Sequence, residues 1–171
     1  MAGTWKLDNL YHTVVNAKDL DESVAFYKLL GFEVLNDRRK VEWPDFVASI
    51  FGMRKAKGRG VLMVLPSDPG GPMIDLIQWM EPHAAFPDPA RVAEDVPRII
   101  AFRTTNVLGA YAELLAKGVP FCRDVFVPEG DLGLVGSVCC YDPNGVIIEL
   151  IELQPGVRHS RANETLLKDP H

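Results

Sequence analysis

Apolar positions recur along this chain with two periods, and the switches between them mark out its elements. Residues 10–15 (Leu-Tyr-His-Thr-Val-Val) predict a first strand, with His12 on the face of Leu10 and Val14. Asp19 or Asp21 is placed to cap a helix in which Val24, Tyr27 and Lys28 fall at helical spacing. Gly31 ends that helix, and residues 32–35 begin a second strand. Residues 43–53 predict a short helical insertion with Phe46, Val47, Ile50 and Phe51 on its apolar side. Residues 55–59 are basic and predict a solvated loop, and residues 60–65 a third strand. A turn rich in glycine and proline at 67–72 leads to a fourth strand at 73–79.

The same order then returns. Residues 98–104 predict a strand, and 107–117 a helix with Val107, Ala110, Tyr111, Leu114 and Leu115 inward and Gly118 at its end. Strands follow at 119–125 and 138–141, and a last one after the turn Asp142-Pro143-Asn144-Gly145. The run 73–78 superimposes on 147–152 with an offset of 74 positions (149 − 75), and the helix-ending glycines with an offset of 87 (118 − 31). The surplus of 13 (87 − 74) matches the insertion near residue 43. By the glycine offset, the counterpart of His12 is Ile99. The expected organisation is a first module at 7–80, a linker at 81–96, a second module at 97–153 and a polar tail at 154–171.

Bulk properties narrow the function classes. At 171 residues and 47% apolar content the chain has enough material for a proper core. A net charge of −5 with no long basic run argues against a nucleic-acid surface. No apolar run reaches the length of a membrane span, and the N-terminus lacks a secretory pattern, so a cytoplasmic protein is expected. Three cysteines, two of them adjacent (Cys139 and Cys140), fit reduced thiols better than a disulfide framework and lack zinc-ligand spacing.

Two acids stand where packing alone wants none. Asp75 and Glu149 occupy matched positions in apolar strands, where an uncompensated carboxylate costs several kcal/mol, of order 2–7 for an unpaired polar group. His12 by itself is most simply a partly buried histidine, but beside two such acids it is a candidate ligand or acid–base partner. Gln78 and Glu152 have the opposite parity, which places them on the far face of their sheets or on a partner surface. Arg103 shares parity with Ile99 and Ala101, as a contact for an anionic substrate or as a salt bridge at the sheet end. Trp43, Phe46, Phe51 and Trp79 either line a pocket for an aromatic ligand or fill core. Arg38, Arg39, Arg54, Lys55 and Lys57 read as a solvated rim, with anion contact as the alternative.

His12, the helix start at 18–27, Leu30-Gly31-Phe32 and the ending Asp142-Pro143-Asn144-Gly145…Ile148-Glu149-Leu150 together resemble the vicinal oxygen chelate superfamily, which includes glyoxalase I, methylmalonyl-CoA epimerase, extradiol dioxygenases and bleomycin-binding proteins. The resemblance covers residues 7–153. It implies an α+β fold of two βαβββ modules forming a curved, barrel-like mixed sheet around a cleft, and a homodimer. Its four metal-ligand positions fall on His12, Asp75, Ile99 and Glu149, of which Ile99 cannot coordinate. One histidine and two carboxylates with waters would suit Mg²⁺, Mn²⁺, Co²⁺, Ni²⁺ or Zn²⁺, and no organic cofactor is evident. The missing fourth ligand also leaves a metal-free pair of Glu149 and His12. The expected activity is that of a glyoxalase- or epimerase-like lyase or isomerase, moving a proton on a small carbonyl compound. Glu149 and His12 would be catalytic, and Arg103, Phe51 and Trp79 would bind substrate. The alternative is a metal-free protein that sequesters an aromatic or drug-like molecule.

Overall fold

The structure, a computed structural model, describes residues 7–41, 43–86, 98–130 and 132–158. The tail beyond 158 and most of the expected linker lie outside these. The chain divides into two compact units, Met1–Phe86 and Pro87–His171. The fold is α+β, with a four-stranded sheet in the first unit and a three-stranded sheet in the second, and neither sheet closes into a barrel.

In the first unit β1 (His12–Asn16), α1 (Leu20–Leu29), β2 (Glu33–Asp37), α2 (Phe46–Ile50), β3 (Lys57–Val64) and β4 (Met73–Glu81) follow in order. The sheet order is β1-β4-β3-β2, with β1 parallel to β4 and the other neighbours antiparallel. Asp19 caps α1, its Oδ1 accepting from the backbone N–H groups of Asp21 and Glu22, and Gly31 leaves the helix at φ +92°. The core of this unit gathers Val24 and Tyr27 of α1 with Val15, Val61, Met63, Ile74 and Leu76 of the sheet, all buried. Tyr27 is fully enclosed and meets Phe26 and Phe32 edge to face.

In the second unit β5 (Ile99–Arg103), α3 (Val107–Ala116), β6 (Leu134–Tyr141) and β7 (Ile147–Leu153) give the order β5-β7-β6. Asn106 caps α3 through Gly109 N–H, and Glu152 reaches the same helix end, its Oε2 accepting from Val107 N–H at 2.8 Å. The far-face position expected for Glu152 thus has a purpose: it satisfies a helix terminus. Val107 and Leu114 are buried with Val138, Cys140, Ile148 and Leu150.

The two registers repeat each other. His12 pairs with Met73 and Val14 with Asp75, while Ile99 pairs with Ile147 and Ala101 with Glu149. The offsets between these pairs are again 87 (99 − 12) and 74 (147 − 73).

Several expectations are corrected. Residues 119–125 do not form a strand; this stretch holds one isolated bridge, Phe121 to Cys140, with a second just beyond it from Phe126 to Ser137, because Pro120 and its polar neighbours interrupt the ladder. The basic stretch is not all loop, since Lys57 to Arg59 begin β3 and pair with β4. The insertion forms only the five-residue α2, and Phe46, Ile50 and Phe51 of its apolar side are exposed rather than packed inward. Leu115 of α3 is exposed too, because Val107 and Leu114 already fill the inward stripe.

Candidate functional site

Strand parity gives each sheet one face toward its helix and one face without a helix, the open face, although Asp75 and Ile77 on it are buried. In β4, Ile74 and Leu76 turn to the core side, so Asp75, Ile77 and Trp79 share the other face. His12, Val14 and Asn16 of β1 lie on that open face, as do Gly58, Gly60 and Leu62 of β3. In β7, Ile148 and Leu150 are buried, and Ile147, Glu149 and Ile151 share the open face with Ile99, Ala101 and Arg103 of β5. Both acids therefore stand on the open side of their sheets.

Asp75 is buried, and its partner is Arg38, whose Nη2 donates to Oδ1 at 2.5 Å. Arg38 is thus not a rim residue. It follows β2 directly, and its backbone N–H donates to Gly60 O at 2.9 Å. The guanidinium passes over Gly60, where a Cβ would come within 3.5 Å of Nη2, 3.6 Å of Asp75 Oδ1 and 2.8 Å of Leu76 O. Burial pushes the Asp75 carboxyl above its ordinary pKa, and the charges of Arg38 and His12 pull it partly back. His12, half-buried and stacked at a tilt on Tyr11, therefore belongs to the same electrostatic group.

Further along the same face lies an aromatic corner. Trp79 meets Trp43 at a centroid distance of 5.2 Å and Phe51 at 6.1 Å, both edge to face. Trp79 Nε1 donates to Asn16 Oδ1 at 2.9 Å, which fixes the orientation of that indole. Trp43 rests on Gly58, where an added Cβ would approach its ring to 2.7 Å. Gln78, of opposite parity, accepts from Arg59 Nε and donates to Lys18 O on the far side.

In the second unit Glu149 is half-buried, and its Oε1 accepts from Ser137 Oγ at 3.0 Å. Its cross-strand neighbour is Cys139, whose thiol is pushed up to about 11 by burial and by the Glu149 charge. Arg103 is exposed and donates to Val157 O at 3.5 Å. The structure thus brings His12, Asp75 and Arg38 together and groups Trp79, Phe51, Trp43 and Asn16, all in the first unit. Sequence reasoning overlooked Asn16 and assigned Arg38 to solvent. The parity of Asn16 with His12 was available as a signal; Arg38 follows a strand edge, and nothing in the sequence aims it at Asp75.

A profile of the Glyoxalase/Bleomycin resistance protein/Dioxygenase superfamily matches residues 9–150. The chain belongs to this superfamily. No curated protein matches the sequence. Among solved structures, a glyoxalase family protein from Bacillus cereus is similar at 17% identity, with a TM-score of 0.71 over 90% of this chain and 98% of the other. A fosfomycin resistance protein from Listeria monocytogenes, in a complex with Mn(II) and a dihydroxypropylphosphonic acid, has 16% identity and a TM-score of 0.59, covering 96% and 100%. TnmS3, an antibiotic-binding protein from Streptomyces sp. CB03234, has 19% identity and a TM-score of 0.58, covering 88% and 100%. The superfamily thus spans enzymes and binding proteins on one scaffold. Among the described residues no helix is long and apolar enough to cross a membrane.

Taken unit by unit, the described side chains do not make up a full donor set for the divalent metal that the superfamily implies. Among the described residues of either unit, no three His, Cys, Asp or Glu side chains gather as a metal group. Asp75 Oδ1 is already held by a guanidinium, Ile99 is apolar, and the Cys139 thiol stays protonated near neutrality.

Proposed function

We propose that this chain is a small-molecule-binding protein, taking a planar, largely apolar ligand on the open face of the first sheet. Trp43, Trp79 and Phe51 form its aromatic wall, and Arg38, Asp75 and His12 are its polar contacts. The aromatic corner carries this reading: rings in edge-to-face contact beside an ion pair, with one indole oriented by Asn16. A few placed polar groups at the edge of an aromatic surface are the usual composition of a ligand site. The likeness to an antibiotic-binding protein agrees with it. Glu149 and Arg103, on the open face of the second sheet, are assigned the same purpose.

Titration with a panel of planar aromatic compounds, followed by tryptophan fluorescence, tests the reading. Saturable quenching is expected, and Trp79→Ala should weaken it by about tenfold or more, the scale of losing a stacked aromatic. A panel that gives no saturable signal with folded protein sinks it.

A second reading is favoured by Asp75 itself. A carboxyl whose pKa is raised by burial is a better base near neutrality, which suits a glyoxalase- or epimerase-like lyase or isomerase. Asp75 would take the proton from the carbon beside a carbonyl, and an Arg38 N–H would steady the oxygen that gains charge. Glu149 is the matched acid of the second unit. Solvent deuterium exchange into α-carbonyl compounds separates the two readings: exchange lost in Asp75→Asn favours the enzyme, and no exchange leaves the binder.

A further inference from the structure

We infer that Arg38 is the resident cation of the first unit's open face, filling beside Asp75 the role of a divalent ion, and that this face takes a ligand with a carboxylate-type anionic oxygen. Only the second half of this inference rests on the binding reading above.

The geometry works against sharing. A metal bonds a carboxylate oxygen at about 2.0–2.2 Å, yet Asp75 Oδ1 already has the Arg38 nitrogen at 2.5 Å. An ion on the other oxygen would stand beside a fixed unit positive charge. The arginine is also built in rather than draped. Its backbone N–H is tied to Gly60 O, and its guanidinium lies over that glycine against Asp75. His12, the other donor of this unit near Asp75, adds a smaller favourable charge to an acid whose hydrogen-bonded partner is Arg38.

The guanidinium also points to the ligand. It has five N–H donors in a planar fork suited to carboxylates. Asp75 takes one of them, and Nε is enclosed without an acceptor among the described residues, so the donors open to a ligand are those at the guanidinium end. Since about a third of the Arg38 side chain (36%) is accessible, an anionic oxygen entering beside it finds both charge and donors. With the aromatic corner on the same face, the fitting class is an aromatic carboxylate.

Metal content and thermal stability test the first half. The purified protein should carry no stoichiometric metal, and neither Mn²⁺ nor a chelator should move its Tm. Arg38→Ala, which frees Asp75 and His12, should gain a Mn²⁺-dependent rise. Stoichiometric metal in the wild type, or Mn²⁺ stabilisation of it, overturns the assignment of Arg38. For the ligand half the probes are benzoate and benzamide, the same ring with and without charge. Benzoate should bind Arg38→Ala about tenfold more weakly than wild type or worse, with Arg38→Lys between them and benzamide alike on all three. If Arg38→Ala does not fold, the double variant Arg38→Met/Asp75→Asn removes both charges at once and reads the same loss. Benzoate affinity unchanged in the folded Arg38 variants overturns the ligand half. If neither compound binds the wild type, the binding reading itself fails, and the metal measurements alone judge Arg38.

Discussion

Two opposing effects act on the Asp75 carboxyl. Burial disfavours its charge, Arg38 and His12 favour it, and burial is the larger. Its folded-state pKa therefore lies above the unfolded value of 3.8, so the native state holds this proton more tightly than the unfolded chain does. Asp75 thus contributes stability below the unfolded pKa that is lost as pH rises through the folded pKa. Urea denaturation across that window should show the stability of wild type falling relative to Asp75→Asn as pH increases; a difference that grows the other way refutes the sign. The cysteines make a second residue-scale case. Cys140 is buried with its thiol pushed up to about 12, Cys139 sits near 11, and Cys122 is exposed. Mild alkylation at neutral pH followed by peptide mapping should mark Cys122 first, because the thiolate is the reactive form; equal labelling of Cys139 would contradict its protonated state. The placing of Asp75 in a buried strand was legible from the apolar run around it. The partner of Asp75 was not, because contacts between residues 37 positions apart (75 − 38) leave no local pattern.

At the scale of elements, the best-marked feature is the turn before β7. Asp142 and Asn144 are buried, and Asp142 Oδ1 accepts from the N–H groups of Asn144 and Val146, each at 2.8 Å, while Oδ2 accepts from Asn144 Nδ2. Gly145 follows at φ +81°, a conformation other residues resist. Asp142→Ala removes all three bonds and leaves buried donors unmet, so a loss of about 2–3 kcal/mol in chemical denaturation is expected. A loss below about 0.5 kcal/mol, the level of an ordinary surface change, would show that the turn holds itself. This turn was readable because its chemistry lies within five consecutive residues, 142–146. The helices were readable for the same reason, through Asp19 and their terminal glycines, whereas the Asn106 cap of α3 was missed. Residues 119–125 misled because alternating apolar character marks a strand only where a neighbour accepts its ladder. Helix α2 misled differently: its apolar periodicity is real, but its apolar side is exposed.

For the whole molecule, the repeat was legible down to the position of each acid, since insertion length and glycine spacing agree with the strand registers. The two copies have since specialised. One carries Asp75 with an arginine, the other Glu149 with a serine, and Ile99 stands where the first copy has His12. Repetition fixes where a side chain sits but not what compensates it, which is why the candidate site was half legible. The indole pair of the first copy has an optical consequence. Trp43 and Trp79 are two of only three tryptophans in the chain, and their rings lie 5.2 Å apart at 80°. Transition dipoles this close couple, so the protein carries its own chiroptical gauge, an exciton signature whose sign and size follow the angle between two rings. A guest that slides between them, or a Cβ added at Gly58 that tips one aside, rewrites that spectrum without any label attached.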